Sequence, residues 1–248
     1  MKKSGKVSVE VFNDVIADEI KKQLNSLENP VTASTLQRFF KTGPGEYGEG
    51  DLFRGIRVPS LRKLAKRYQN IPLSDAKQFL MSLFHEDRLL ALFILVRIYI
   101  RSDDAAKTRI YKLYLDSTRF INNWDLVDGS AEHIVGNFLM DKNKQPLYRL
   151  ARSSVLWERR IAIVSTFHFI KRGVFDETFT IAKMLITDTE DLIHKAVGWM
   201  LREVGKRDLR AEENFLNACY TQMPRTMLRY AIEKFSEPKR LGYLRGEI

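Results

Sequence analysis

The spacing of apolar residues limits the folds open to this chain of 248 residues more than any other feature. Leu, Ile, Val and Phe recur three or four positions apart almost throughout, while alternating Val/Ile/Thr runs that would make strands are hard to find. The reading is all-α. A slower rhythm runs through the same helices: Ala91, Ala131, Ala162, Ala196 and Ala231 stand among aliphatic residues at intervals of 40, 31, 34 and 35 residues. That period holds two helices and two turns, and a recurring small residue lets neighbouring helices approach closely. The pattern predicts a superhelical solenoid of stacked helix pairs, with an irregular helical bundle as the alternative. Each pair of a solenoid is slightly rotated on the last, which leaves a long concave inner wall that DNA would fit.

Charge suggests what that wall would meet. Lys plus Arg number 41 against 31 Asp plus Glu, a formal excess of +10 that attracts polyanions over about 10 Å at ordinary salt. Nucleic acid or an anionic membrane leads as partner, although a basic surface also serves solubility alone. The one cysteine, Cys219, excludes an intramolecular disulfide and a Cys-rich metal site, and fits a reducing cytoplasmic setting. Met1-Lys2-Lys3 imitates the start of a signal peptide, but Glu10 and Asp14 fall where a continuous apolar run is needed. The most apolar stretch, Leu89 to Ile100, contains Arg97 and is short of the roughly 20 residues that cross a bilayer, so it is expected to be a buried core helix. The expectation is one domain over residues 1–248, monomeric, with a flexible tail over residues 1–8.

Gly43-Pro44-Gly45-Glu46-Tyr47-Gly48 satisfies a dinucleotide-binding spacing. Such a site needs a strand before it and a helix opening from it. Leu36, Phe39 and Phe40 instead have helical spacing, and Glu46, Glu49 and Asp51 would repel a pyrophosphate. A loop between helices is expected, followed by a helix from Val58 to Tyr68 with Pro59 in its first turn.

Three segments can carry chemistry. Asp191 to about Lys206 makes a helix whose apolar stripe is Leu192, Ile193, Ala196, Val197, Met200, Leu201 and Val204. Lys195, Trp199, Arg202 and Lys206 fall within an arc of about 60° beside that stripe. With no carboxylate expected near them, these cations point to a phosphate-facing surface; a boundary Trp among solvated lysines is the plainer reading. In Asn123-Trp124-Asp125-Leu126-Val127-Asp128, Asn123 is an expected N-cap of a helix running to about Leu139, which accounts for both acids in its first turn. It leaves open why Trp124 and Asp128 are i,i+4 neighbours at the edge of an apolar face. Third, Trp157-Glu158-Arg159-Arg160 opens a helix apolar nearly all round from Ile161 to Ile170, where an Arg must meet a carboxylate or phosphate if buried.

These three segments, Asn123 to Asp128, Leu156 to Ala162 and His194 to Glu203, together with Gly55-Ile56-Arg57-Val58-Pro59 and Met223-Pro224-Arg225-Thr226 through Phe235, resemble the AlkD group of the AlkC/AlkD DNA alkylation repair family over roughly residues 30 to 240. The resemblance implies a solenoid of HEAT-like repeats cradling duplex DNA in a concave basic groove. It assigns Asp128 as catalytic aspartate, Trp124 and Trp199 as sugar-facing tryptophans and Arg160 as the essential arginine. Phosphate contacts fall on Arg160, Arg202 and Arg57, beside Lys195 and Lys206 from the helical face. It also implies a DNA glycosylase of alkylated purines that needs neither cofactor nor metal and acts without a base pocket, for which the sequence shows no signature.

The chemistry is consistent with that list. A purine alkylated at N3 or N7 is already cationic, so its base leaves without a general acid. The remaining barrier is the positive charge growing on the sugar, which one carboxylate in a site of low dielectric stabilises. The rival is a catalytically inactive helical-repeat scaffold that binds DNA or protein. His85, His133, His168 and His194 show no metal-ligand spacing.

Overall fold

The computed structural model of the protein describes residues 7–248, with side chains from residue 15 onward. Of the tail expected over residues 1–8, residues 1–6 lie outside the described residues, and the first helix begins at Val7. The chain is all-α: among the described residues the only extended pairing is one isolated bridge between Leu52 and Phe84. Packing divides it into two units, one ending at Ser130 and one covering Ala131–Ile248.

The first unit contains α1 (Val7–Ser26), α2 (Pro30–Phe39), α3 (Val58–Arg67), α4 (Leu73–Leu80), α5 (His85–Arg101), α6 (Asp104–Asp116) and α7 (Trp124–Asp128). Its centre is α5, against which α3, α4 and α7 pack. Leu89–Leu95 are all buried, as the apolar run requires, although Ile100 emerges 64% exposed near the helix end. Pro59 sits in the first turn of α3, where its missing N–H leaves no helical bond unmade. The glycine-rich segment is a loop, and its own acids close it: Glu46 accepts from the Gly43 N–H and Glu49 from the Gly45 N–H, each at 2.9 Å. The amides a phosphate would need are thus already satisfied.

The second unit contains α8 (Asn137–Leu139), α9 (Gln145–Ala151), α10 (Leu156–Ser165), α11 (Phe167–Ile170), α12 (Asp176–Met184), α13 (Asp191–Gly205), α14 (Leu209–Cys219), α15 (Arg225–Ala231) and α16 (Glu237–Arg245). Neighbours in sequence pair as α9 with α10 and α13 with α14, while α10, α13 and α15 stack on one another. This is the order of a helical-repeat protein. The alanine rhythm marks the stack: Ala162, Ala196 and Ala231 lie on those helices, and they are fully buried, as are Ala91 and Ala131. Gly198 supports a close approach, since a Cβ there would stand 2.4 Å from the Met227 carbonyl and 2.5 Å from Tyr230 Cβ on α15.

Two expected helices are broken. The run from Asn123 to Leu139 is not one α-helix: α7 ends at Asp128, and Glu132–Gly136 forms a π-helical turn before α8. A side chain at Gly136 would meet the Ser165 carbonyl at 2.2 Å, so the local sequence is shaped by tight contact with α10. The run from Ile161 to Ile170 is interrupted at Thr166, whose hydroxyl donates to the Ile163 carbonyl at 2.7 Å and competes with the helical ladder.

Candidate nucleic-acid interface and active site

In the first unit, local geometry presents Trp124 and Asp128 together. Asn123 is fully buried, and its side-chain oxygen accepts from the Trp124 N–H at 2.8 Å, which starts α7 where the sequence expected an N-cap. One turn later Asp128 ends the helix, so the two side chains share a face. Both are half-buried and both line a cleft of about 600 Å³. Its walls are largely aromatic, including Phe39, Phe40, Phe53 and Phe93, and cations come from Arg57 and Arg62. Sequence reading had found no sign of such a pocket, because Phe39 and Phe40 served there only as evidence of helical spacing. A carboxylate among rings is less solvated than one on an open surface, which strengthens its attraction for any positive charge brought to it.

Arg57 reaches the cleft through a backbone device. Gly55 has φ +81°, and a Cβ there would lie 2.1 Å from the Asn29 carbonyl, so only glycine fits. The buried Glu86 carboxylate accepts from the N–H groups of Arg54, Gly55 and Ile56 at 2.9, 2.8 and 3.1 Å. This pins the strand of loop that leads into α3. Arg57, exposed, then stands as the N-cap residue of α3, whose helix dipole adds to its positive charge.

A buried polar network lies behind α7. Asp125 Oδ2 is 2.8 Å from His85 Nε2, and Asp51 is held by Arg88 Nη2 at 2.8 Å and Asn122 at 3.1 Å. Burial would raise the Asp51 carboxyl, but the His85 ring 3.5 Å away and the Arg88 charge outweigh it and hold Asp51 below the usual carboxylate range. Burial works against a charged His85, yet Asp125 and Asp51 prevail and raise it above an ordinary histidine. Among the described residues no group of three or more His, Cys, Asp or Glu could hold a metal ion.

The second unit places its candidates differently from expectation. On α13, Trp199 is half-buried outside the core stripe, as predicted, and its ring lies 5.8 Å from that of Phe167. Phe167 in turn sits beneath Lys171 and Arg207 at 4.2 and 5.7 Å, two cations that sequence reading missed because they come from other turns of the fold. The claim that the α13 cations lack nearby carboxylates is wrong. Lys195 pairs with Asp191 at 2.6 Å, Lys206 with Glu203 at 2.6 Å, and Arg202 with Glu233. The first two pairs are i,i+4 and i,i+3 on one helix and were visible in the sequence; Glu233 is brought from α15's continuation by folding. The Lys195 ammonium holds the Asp191 carboxyl below its ordinary range. Arg160 is only 5% exposed, and its guanidinium donates to the Leu192 carbonyl at 2.5 Å instead of standing open to a phosphate. Its neighbour Arg159 bonds the Asp188 carboxylate at 2.6 Å.

Comparison with known proteins accords with the fold. Solved structures of similar fold include a predicted DNA alkylation repair enzyme from Enterococcus faecalis, with a TM-score of 0.65 and 18% identity over 85% of this chain and 97% of that one. AlkD2 from Streptococcus mutans is similar with a TM-score of 0.52 and 18% identity, over 83% and 97% of the two chains. No curated protein matches the sequence significantly. The family model described as DNA alkylation repair enzyme matches residues 20–235, which takes in the Trp124–Asp128 turn, Arg57 and both segments of the second unit, and the chain therefore belongs to the DNA alkylation repair enzyme family.

Proposed function

We propose that the protein is a DNA glycosylase that hydrolyses the N-glycosidic bond of cationic N3- or N7-alkylated purines in duplex DNA. The observation that carries this reading is the half-buried Asp128 beside Trp124 in an aromatic cleft with Arg57 at its rim. As the glycosidic bond breaks, its electron pair passes to the purine and cancels the lesion's charge, while positive charge grows on the sugar. Asp128 stabilises that charge and orients a water, whose oxygen bonds the anomeric carbon as its proton is lost to the carboxylate or solvent. The indole face of Trp124 favours the same cation. Because the base departs unaided, it need not be seated in a pocket, and neutral lesions are poor substrates.

Trp199 and Arg160 are assigned to the reaction by family resemblance, and Arg57, Lys195, Arg202 and Lys206 to phosphate contact. The ion pairs on α13 do not exclude the latter role. Asp191 and Lys195 are well exposed, and such a pair is worth about 0–1 kcal/mol, little enough for a phosphate to replace the carboxylate. Arg160 is the harder case, and its burial favours a second reading in which the protein is a scaffold that binds DNA without chemistry.

Purified protein incubated with duplex containing 7-methylguanine or 3-methyladenine should release the free base, detectable by chromatography, and leave an abasic site. The matched duplex carrying a neutral lesion such as 1,N6-ethenoadenine should release far less. Binding without any base release would support the scaffold.

A further inference from the structure

His85 opens α5 and is 1% exposed, and both of its ring nitrogens face carboxylates from other segments. Nε2 lies 2.8 Å from Asp125 on α7, and Nδ1 lies 3.5 Å from Asp51, in the loop before the Leu52–Phe84 bridge. A neutral imidazole carries one N–H and can donate toward one of these acids; only the imidazolium addresses both. The other charged groups nearby are accounted for. Arg88, on the same helix, pairs with Asp51, while Glu86 and Asp87 turn to the backbone of residues 54–56 and to Arg54.

The faces of the same ring are engaged as well. Phe53 stacks on it at 4.7 Å and 17°, and Phe40 lies at 4.8 Å and 36°. Phe40 then stacks on Trp124 at 5.5 Å and 23°. His85 thus holds the start of α7 twice, through the Asp125 carboxylate and through the pile of rings that ends in the Trp124 indole. Asp128 sits one turn further along that helix.

We propose that His85 is a positioning residue for this site: as an imidazolium between Asp51 and Asp125, and as the base of the ring stack, it sets where Trp124 and Asp128 stand. Its ring borders the cleft but is 1% exposed, and it acts through α7. For catalysis the inference rests on the glycosylase reading above; for the placement of Trp124 it does not. A ring that merely filled the core could be replaced by a neutral group without moving Trp124.

The test labels the protein with 5-fluorotryptophan, which gives one 19F signal per tryptophan, and identifies that of Trp124 from the Trp124→Phe variant. In the wild type this signal should be steady between about pH 6 and 8, with 15N spectra showing both His85 nitrogens protonated at neutral pH. In His85→Gln it should shift or broaden, and single-turnover excision should fall about tenfold or more while DNA affinity stays within about twofold. Should His85→Gln not fold, Asp125→Asn keeps the ring and removes its nearer acid. That variant should let His85 lose its proton at lower pH and disturb the Trp124 signal above it. A neutral His85 at pH 7, or a Trp124 signal unmoved in the variants, overturns the proposal. If the signal responds but the wild type releases no base, positioning stands and the glycosylase reading falls.

Discussion

At the scale of single residues, what decides the behaviour of an acid is what surrounds it, and this protein holds two opposite cases. Asp128 stands half-buried at a cleft with cations on its rim. Glu212 is 1% exposed, packed against Gly205, and burial together with the nearby Glu213 pushes its carboxyl up to about 8. An unfolded chain ionises this carboxyl near 4.5, so between about pH 4.5 and 8 the unfolded state is the one that has released the proton. Stability from this residue is therefore present at low pH and lost as pH rises through that window. Glu212→Gln, which keeps the shape without the charge, is expected to raise the melting temperature by several degrees near pH 8 and to leave it little changed near pH 4. An equal shift at both pH values would show that charge burial is not the cause. Trp124 and Asp128 were legible as i,i+4 neighbours behind an Asn cap. The burial of Arg160 was not, because an acceptor it reaches is the Leu192 backbone carbonyl 32 positions away, and a carbonyl leaves no mark in a sequence.

At the scale of elements, periodicity carried most of the reading, and it failed where side chains compete with the helix ladder. The buried alanines and the stripe of α13, apart from a half-buried Leu192, emerged as expected, since burial of one face follows directly from spacing. The break after Asp128 did not. Ser130 Oγ donates to the Leu126 carbonyl at 2.5 Å and lies 3.0 Å from Tyr114 OH, and a Cβ at Gly129 would press on Phe93 at 3.3 Å; Tyr114 and Phe93 come from other helices of the first unit, which local pattern cannot show. Close helix contact is itself testable at Gly198. Gly198→Ala puts a methyl group into the space taken by the Met227 carbonyl and Tyr230, so despite the gain in helix propensity it is expected to destabilise by about 1–3 kcal/mol. Calorimetry should show a lower melting temperature; a stabilised variant would mean that α13 and α15 are farther apart than described.

At the scale of the whole molecule, the +10 charge predicted an affinity for polyanions, and membership of a DNA alkylation repair family points to DNA as the polyanion. Net charge could not say which cations matter, because several are already paired within the fold. Affinity for undamaged duplex is expected to fall steeply with salt. Neutralising Arg57 or Lys206 should flatten the log–log slope by about one unit each if they contact phosphate. An unchanged slope would remove that residue from the DNA footprint. For the account as a whole, the most direct measurement is single-turnover release of 7-methylguanine by wild type and Asp128→Asn, with duplex affinity determined on the same samples. The expected result is a loss of at least about a hundredfold in rate with affinity preserved. Equal rates in the two proteins, or release from neither, would contradict the role given to Asp128 and with it the proposed chemistry.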